Sequence, residues 1–392
     1  MISSSSMNTD INELSEFDTQ SNVASLAQLW AKRYMRNLDQ AETSQQHSEH
    51  SSQQHSGGSG ISSGEFSSLQ ETLSPSSRRA TGAKIQNSLR FTSAQAWAKT
   101  ETLLISQVER HQIATDLIDP WQVATDARFI FEEVMGIYAQ QGKERTVSLG
   151  GHIEQLTATN TAGESQAVRT VTTMPSPEKL AVLIASSVGE MRYRYTKDDP
   201  RVLGFVSMQL HYTGQMLLDV LSPWEKVLVG SYFKVIDDNL YMPLQRAYQA
   251  AAKLDYHDPA LEAVRALLPI TSELARYVAH NAALMHPDYH SISGALTSPT
   301  VRVSSIRDVE MFQVYLCLSV LEASVQSIQE ELFPLCVMLY PPLKVNWSLV
   351  RSLLRLLGHG INKSLAPEVS RKFRPYLRAL WEMFNTDVFP EA

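Results

Sequence analysis

Apolar side chains recur with a period near 3.6 residues along most of the chain after residue 92, which is the pattern of amphipathic helices. Several of these patterns open with a capping residue followed by proline. The side-chain oxygen of the first residue accepts a hydrogen bond from a backbone N–H group of the first helical turn. Proline has no backbone N–H group, but at the start of a helix this group would have no partner within the helix anyway. These start signals are Asp119-Pro120, Ser176-Pro177, Asp199-Pro200, Ser222-Pro223 and Asp258-Pro259. Because no convincing alternating strand pattern accompanies them, the sequence predicts an all-α fold.

The C-terminal half contains the densest apolar segments. Residues 314–321 are apolar nearly all round, which predicts a helix buried in the middle of a domain. Further on, leucines and basic residues alternate between two faces of another helix. The leucines are Leu349, Leu353, Leu356 and Leu357, and the basic face has Arg351, Arg355 and His359. Pro367 opens a last helix, and Pro375 inside it is predicted to kink or divide it.

A short amphipathic helix is predicted near the N-terminus. Leu26, Leu29, Trp30 and Tyr34 fall at helical spacing, with basic residues toward the other side. A helix of this length is marginal alone in water, so it should fold onto the body of the chain or onto a partner. The pattern leaves both alternatives open.

Two polar segments interrupt the helical pattern. Residues 41–91 are dominated by Ser, Gln, Gly and His, and such a segment buries too little apolar surface to offset its ordering entropy. We therefore predict a disordered linker there. The interval from Gly142 to Met174 is rich in Gly, Thr and Ser and predicts a long loop or a mobile hairpin.

Composition narrows the class of protein. The chain has 392 residues, a formal net charge of -7 and a pI of about 5.9, which disfavours non-specific nucleic-acid binding by the whole molecule. Cys317 and Cys336 are its only cysteines, and each lies in an apolar run, as reduced buried thiols do. No secretory signal and no apolar run of about 20 residues is found. A soluble, cytoplasmic protein without membrane insertion is predicted.

The sequence offers no convincing catalytic or metal site. His280, His286 and His290 cannot share one helix face because Pro287 interrupts them, so packing or surface roles are favoured. Adjacent carboxylates point about 100° apart on a helix and do not converge for acid–base work. Asp237-Asp238 and Glu330-Glu331 are such pairs, and solvated faces or subunit salt bridges are favoured for them. The prediction is a protein that is not an enzyme and holds no cofactor.

Basic residues concentrate near the C-terminus of this acidic chain. They are Arg351, Arg355, Arg371, Lys372, Arg374 and Arg378. A solvated helix face is the simplest interpretation, and docking to an acidic partner protein is the alternative.

One motif points to a known family. The segment Ser304-Ser305-Ile306-Arg307-Asp308-Val309-Glu310 resembles the Thr-Cys-Leu-Arg-Asp-Leu/Met-Asp motif of the phycobiliproteins, the globin-like helical subunits of cyanobacterial and red-algal phycobilisomes. In that family the motif starts the chromophore-bearing helix. The resemblance implies that Ser305 stands at the bilin-attachment cysteine, Arg307 at the arginine that pairs with a propionate, and Asp308 at the aspartate that accepts pyrrole hydrogen bonds.

Other segments resemble the same family in the same order. Val235–Asn239 is similar to the N-terminal helical arm that pairs α with β subunits. Ile328–Glu331 is similar to the Ile-Glu-Glu segment that follows the central helix, and Leu343–Trp347 is placed like the Gly-Thr-Pro-Ile-Asp turn. Ser364–Glu368 is similar to the start of the last helix. The resemblance implies a globin-like bundle over residues 222–392 with a helical pairing arm.

The motif departs from the family where the pigment would attach. A serine hydroxyl supplies no ready thiolate, so a thioether to the bilin cannot form at Ser305. Cys317 lies three turns further along the same predicted helix and cannot substitute. Arg307 and Asp308 remain, which leaves non-covalent tetrapyrrole binding as an alternative. We favour a purely structural role, with Asp308 at the positive end of a helix dipole.

These observations predict four regions and a binding role. The regions are a helical motif in a mobile tail (1–40), the linker (41–91), a helical extension of unassigned role (92–221) and the phycobiliprotein-like domain (222–392). The expected function is a non-catalytic accessory, assembly or regulatory protein of the light-harvesting antenna, located in the cytoplasm or peripheral to thylakoid antenna complexes. Its partners would be phycobiliproteins or phycobilisome linkers, with dimerisation through the arm as a further expectation. Two alternatives are a globin-like sensor of a non-covalent ligand and a scaffold unrelated to photosynthesis.

The partner-binding residues predicted from the sequence come from three places. They are Leu26, Leu29, Trp30 and Tyr34 of the N-terminal helix, Asp237 and Asp238 of the arm, and Arg371 and Arg374 of the last helix.

Overall fold

The computed structural model describes residues 26–32, 34, 68, 71–140 and 175–389, together with four two-residue strands between residues 145 and 172. Helices make up most of these residues, which confirms the predicted all-α character. The first part of the chain contains α1 (Pro75–Arg110), α2 (Pro120–Ala139), α3 (Pro177–Leu183), α4 (Ala185–Thr196), α5 (Leu203–Asp219) and α6 (Pro223–Tyr241). The second part contains α7 (Leu244–Ala251), α8 (Pro259–Leu267), α9 (Thr271–Met285), α10 (Pro299–Glu322), α11 (Phe333–Leu339), α12 (Trp347–Ser364) and α13 (Pro367–Met383).

The predicted helix starts are confirmed. Pro120, Pro177, Pro223 and Pro259 each open an α-helix, and Pro200 opens a 3₁₀ turn. The side-chain oxygens of Asp119, Ser176, Asp199 and Asp258 accept hydrogen bonds from backbone amides of the first helical turn. For example, Asp119 Oδ1 accepts from the amide of Trp121 at 2.9 Å and Asp258 Oδ1 from that of Ala260 at 2.7 Å. Capping therefore sets these boundaries locally, as the sequence predicts.

The chain divides into two compact units. Among the described residues, the central unit comprises those between Ala31 and Tyr241 together with Pro334–Pro342. The C-terminal unit comprises those up to Trp30, Met242–Phe333 and those from Leu343 onward. The division falls after Tyr241, whereas the sequence analysis placed a boundary at residue 222. Helix α6, predicted as the arm of the second domain, therefore belongs with α1–α5, because its apolar side packs on α3, α4 and α5.

The central unit is built around α1. This 36-residue helix packs along both α2 and α5. Where the three meet, the Gln209 amide donates to the Ser93 carbonyl at 2.9 Å, and the Ser93 hydroxyl donates to the Ala124 carbonyl at 3.2 Å. An edge-on contact between Phe131 and Phe233, with ring centroids 4.8 Å apart, joins α2 to α6. Buried hydrogen bonds thus fix the relative register of helices whose apolar faces alone would allow sliding.

The C-terminal unit is built around α10. Residues 309–321 of this helix are buried continuously, which confirms the central helix predicted from residues 314–321. Helices α7, α8, α9 and α13 pack against α10, and α12 packs against α9 and α13. An aromatic cluster closes one end, where Phe384 contacts Phe312, Phe333, Trp347 and Phe389.

Helix α1 corrects the predicted extent of the linker. The helix begins at Pro75, so residues 75–91 are helical although the disordered linker was predicted to run to residue 91. Their composition is polar because this part of the helix is held by polar contacts. Arg78 and Thr81, which looked like exposed linker residues, are fully buried. The rest of the predicted linker lies outside the described residues, apart from residue 68 and residues 71–74.

The interval 142–174 contains two short antiparallel strand pairs. Arg145–Thr146 pairs with Val171–Thr172, and Ala158–Thr159 pairs with Ser165–Gln166.

Helix α13 continues through Pro375 to Met383 as one helix, so Pro375 does not divide it. A third two-stranded pair, His290–Ser291 with Gly294–Ala295, lies between α9 and α10.

Two glycines of α12 give a stability prediction with an internal control. A Cβ added at Gly360 would overlap Leu274 Cδ1 of α9 and lie 3.5 Å from its Cγ, whereas a Cβ added at Gly358 meets nothing within 4 Å. We expect Gly360→Ala to lower the free energy of unfolding by about 1–3 kcal/mol through overpacking of this helix contact. Gly358→Ala should leave it unchanged or raise it by up to about 1 kcal/mol, because alanine is the better helix former. Urea unfolding followed by circular dichroism measures both, and equal effects would contradict the close approach of the two helices.

Candidate functional site

The motif that carries the family resemblance lies within α10 and not at its start. Because the helix begins at Pro299, Asp308 stands in its third turn, beyond the first-turn range of the helix dipole. The predicted dipole role of Asp308 is therefore wrong. Ser305, Arg307 and Asp308 are all half-buried, and Arg307 Nη2 lies 3.3 Å from Asp308 Oδ1. The arginine and aspartate thus form an ion pair with each other.

The N-terminal helical residues are packed within the chain. Leu26, Trp30 and Tyr34 are buried and Leu29 is half-buried. The apolar stripe predicted from their spacing is present, and its burial corresponds to docking onto the body of the chain. A partner could use these side chains only after the helix had been released.

The two aspartates of the predicted arm also have partners within the central unit. Asp238 is fully buried, and both of its oxygens lie 3.1 Å from Lys234 Nζ, one turn earlier in α6. Asp237 Oδ2 lies 3.5 Å from His211 Nδ1 of α5. The two carboxylates diverge, as expected for neighbours on a helix, but they form contacts inside the unit and not a solvated face.

The other carboxylate pair behaves in the same way. Glu331 is buried in a π-helical segment, where Tyr315 donates to it at 2.6 Å and Arg246 Nη1 lies 3.5 Å away. Its neighbour Glu330 is exposed and accepts a hydrogen bond from Gln326. Arg246 also forms a bidentate ion pair with Glu322, in which Nε and Nη2 each donate to one carboxylate oxygen at 2.7 Å. This arrangement joins α7, α10 and the π-helical segment and has the character of a structural network.

The basic residues separate into three environments. Arg351 is buried and donates to the carbonyls of Phe384 and Phe389, at 3.4 and 3.2 Å, so its predicted place on a solvated face is wrong. Arg371 and Arg374 are exposed on α13, on the same stripe as Arg378, which pairs with Glu382. Arg355, His359 and Lys363 are exposed on α12. From the sequence, Arg355 had been grouped with the basic residues of α13.

The side of α9 next to α12 adds apolar surface to this last basic group. Tyr277, Leu284 and Met285 are exposed, with Leu284 showing 66% of its surface. Arg355 Nη2 lies 3.8 Å from Met285 Sδ, which joins the two groups at one end. We call these six residues the α9–α12 surface. Apolar and cationic side chains thus share one face of the C-terminal unit.

A second exposed apolar feature lies on α2. Trp121 and Phe129 expose 84% and 60% of their surface, and Thr125 lies between them one turn from each. We call these three residues the α2 stripe. It lies opposite the buried face of α2, which contains Val123, Ala127, Ile130, Phe131 and Val134. The helical period alone places it there, so the signal was present in the sequence and was overlooked.

The histidines and cysteines have ordinary structural surroundings. His286 Nε2 lies 2.9 Å from Ser352 Oγ, and His290 Nδ1 lies 3.0 Å from the Asp288 carbonyl. In the described part of the chain, no three His, Cys, Asp or Glu side chains are grouped so as to hold a metal ion. Cys317 and Cys336 are buried and are not joined in a disulfide, and burial raises the pKa of Cys317 well above its usual range. Cys317 is thus kept as an unreactive thiol.

No family model, no curated protein and no solved structure matches this chain. Within the described residues, no helix combines the length and the apolar character needed to cross a bilayer. The candidate functional surfaces are therefore those with exposed aromatic side chains on α2 and those with exposed cationic side chains on α12 and α13.

Proposed function

We propose that this chain is a non-catalytic binding protein that serves the phycobilisome antenna as an accessory, assembly or regulatory component and carries no covalent bilin. The observation that supports a binding role best is the exposure of Trp121 and Phe129 on the α2 stripe. Tryptophan and other aromatic side chains are enriched in the buried centres of protein interfaces, and their exposure in an isolated chain leaves apolar surface in water.

The class of partner rests on the resemblance of residues 304–310 to the phycobiliprotein motif. Serine at position 305 supplies no thiolate for pigment attachment, so the proposed role is binding without light absorption. The ion pair between Arg307 and Asp308 supports the same view, because each group already satisfies part of the charge of the other. Binding to antenna subunits by a protein that resembles phycobiliproteins but carries no pigment is the function that agrees with all of these observations.

The test is an affinity pull-down of the tagged full chain from a lysate that contains intact phycobilisomes, with an absorption spectrum of the eluate. We expect phycobiliproteins or their linker proteins to co-elute, and we expect the chain itself to show no visible band after denaturing separation. An eluate without antenna proteins would contradict the proposed function. A visible band that stays with the denatured chain would contradict the role assigned to Ser305.

Variants of the α2 stripe connect the pull-down to the structure. Trp121→Ser combined with Phe129→Ser should lower the amount of captured antenna protein at least about fivefold, since interface aromatics commonly contribute more than about 1 kcal/mol each. Phe91→Ser is the matched control, because Phe91 is an equally exposed aromatic on α1 (70%) outside the stripe. If the control and the double variant retain the same amount, the α2 stripe is not the binding surface.

A further inference from the structure

The aromatic cluster at one end of the C-terminal unit holds the last described residue of the chain. Phe389 stacks on Trp347, with ring centroids 4.1 Å apart and an angle of 19° between the ring planes. Its ring centroid also lies 6.0 Å from that of Phe333 and 6.3 Å from that of Phe384. Arg351 Nη1 donates to the Phe389 carbonyl at 3.2 Å. One phenylalanine is thus held by three aromatic rings and by one cationic donor.

These contacts form a site with a buried floor and an open rim. Phe384 and Arg351 are buried, whereas Trp347 and Phe333 are half-buried at the rim. We call Phe333, Trp347, Arg351 and Phe384 the aromatic socket. The Phe384 ring contacts those of Phe333 at 5.3 Å and Trp347 at 5.7 Å, and its carbonyl accepts from Arg351 at 3.4 Å. Because these contacts lie within one unit and do not involve Phe389, the socket is preformed.

The segment that fills the socket is short. We call residues 385–389 the strap. Asn385 Oδ1 accepts hydrogen bonds from the amides of Asp387 at 2.9 Å and Val388 at 3.0 Å, and the Phe389 amide donates to the Asn385 carbonyl at 2.9 Å. This turn presents the phenylalanine to the socket, while residues 386–388 are exposed. Since these hydrogen bonds are internal to the strap, we expect it to open at a far lower free energy than the unit unfolds.

The bound strap shows which class of ligand the socket takes. The rings bind an aromatic side chain by stacking, and the guanidinium group binds the backbone carbonyl of the same residue. Asp387, the one charged side chain of the strap, is exposed and lies outside the socket. A segment of another protein that forms the same turn before a phenylalanine offers both recognised groups.

We propose that the aromatic socket binds a peptide segment of a partner protein, in which a turn closed by an Asn, Asp or Ser side chain presents a phenylalanine, and that the strap is its internal competitor. A second copy of the chain fits less well as the occupant. Its five-residue strap spans at most about 17 Å, so exchange of straps would join two units over little surface. The socket is independent of the α2 stripe and of the antenna function proposed above.

The test is fluorescence anisotropy of a labelled, C-terminally amidated peptide, Asn-Thr-Asp-Val-Phe, with the full chain. Phe389→Ala removes the competing ring and should bind the peptide at least about tenfold more tightly than the wild-type chain, whose tethered strap has a millimolar effective concentration. Val388→Ala is the matched control, because Val388 is the neighbouring strap residue and is 48% exposed. It should bind the peptide as the wild-type chain does. Equal binding to all three chains, or no binding to Phe389→Ala, would overturn the proposal.

Hydrogen exchange of the wild-type chain tests the competition without a variant. A saturating amount of the peptide should displace the strap and raise the exchange rate of the Asp387, Val388 and Phe389 amides at least about threefold, because a released strap no longer holds its turn closed. The same peptide ending in alanine should leave these rates unchanged. If the phenylalanine peptide binds and the rates stay constant, it binds elsewhere and the proposal is overturned. A wild-type dimer that this peptide dissociates would assign the socket to a second copy and overturn the proposed partner.

Discussion

Replacing Arg78 by methionine is expected to lower the free energy of unfolding by about 3–5 kcal/mol, the largest effect predicted for a single side chain here. The guanidinium group is fully buried and donates to three backbone carbonyls. These belong to Leu73, Tyr138 and Gln140. Methionine fills much of the volume but leaves the carbonyls without their charged donor. Urea unfolding followed by circular dichroism measures the change.

Arg79 is the control for this prediction. It is the next residue in the same helix and is exposed, so Arg79→Met should change the free energy of unfolding by no more than about 0.5 kcal/mol. Burial lowers the pKa of Arg78, but a guanidinium remains charged throughout the usual pH range. If Arg78→Met and Arg79→Met behave alike, the buried position of the arginine is incorrect.

The position of Arg78 explains why the effect is large. Tyr138 and Gln140 lie at the end of α2, and the ring of Tyr138 contacts that of Tyr232 edge-on at 5.2 Å. The Tyr232 hydroxyl donates to the Pro175 carbonyl, just before α3. One buried cluster thus holds both ends of the polar interval between α2 and α3. Loss of the arginine should loosen this attachment as well as α1 itself.

Glu225→Ala is expected to lower the free energy of unfolding by about 3 kcal/mol at neutral pH. The buried carboxylate accepts hydrogen bonds from Lys84 Nζ at 2.8 Å, Thr81 Oγ1 at 2.7 Å and the Ser222 amide at 2.9 Å. The last of these is a capping-box contact, in which the glutamate three residues after the cap residue accepts a hydrogen bond from the backbone amide of that residue. Alanine removes the acceptor and leaves the buried Thr81 hydroxyl without this partner. The matched control is Glu262→Ala, at an exposed glutamate in the first turn of α8, with a change within about 0.5 kcal/mol.

The pH dependence separates the charge of Glu225 from its volume. Hydrogen bonds from Lys84, Ser222 and Thr81 outweigh the effect of burial and lower the pKa of Glu225 to about 2. Because the pKa is depressed in the folded protein, this stabilisation is fully present above about pH 4.5 and is lost as the pH falls toward 2. The difference in unfolding free energy between the wild-type chain and Glu225→Ala should therefore shrink over that range. A difference that stays constant from pH 7 to pH 3 would indicate that lost packing alone causes the effect.

The elements that were predicted well are those whose signals are local. Each capping residue acts on amides two or three residues away, so Asp119 and Asp258 specify a helix start wherever the helix later packs. The run from 314 to 321 is apolar on every side, and only the middle of a unit can bury all of it. The amphipathic stripe at Leu26, Trp30 and Tyr34 was also correct, and its burial decided between the two fates that the pattern had left open.

The candidate site was predicted less well, because exposure depends on neighbours that are distant in sequence. Arg351 and Arg355 look equivalent on a helical wheel, yet Arg351 is buried against the carbonyls of Phe384 and Phe389 and Arg355 is exposed beside Met285. In the same way, the local sequence around Arg78 is typical of a linker, and the carbonyls of Tyr138 and Gln140 that accept its hydrogen bonds lie about 60 residues further along the chain. Polar side chains acquire their roles from the groups that face them, and local sequence does not contain those groups.

The sequence by itself determined the helical class, the starts of the helices and which faces of them are apolar, since these follow from periodicity and from capping over a few residues. The tertiary structure alone decided where the compact units divide, which charged residues are buried and which aromatic side chains remain in water. The helical period placed Trp121 and Phe129 opposite the buried face of α2, but only the packing of the other described helices showed that these two side chains stay exposed. Burial is a property of surfaces brought together from distant parts of the chain, and the free energy of many weak contacts selects it.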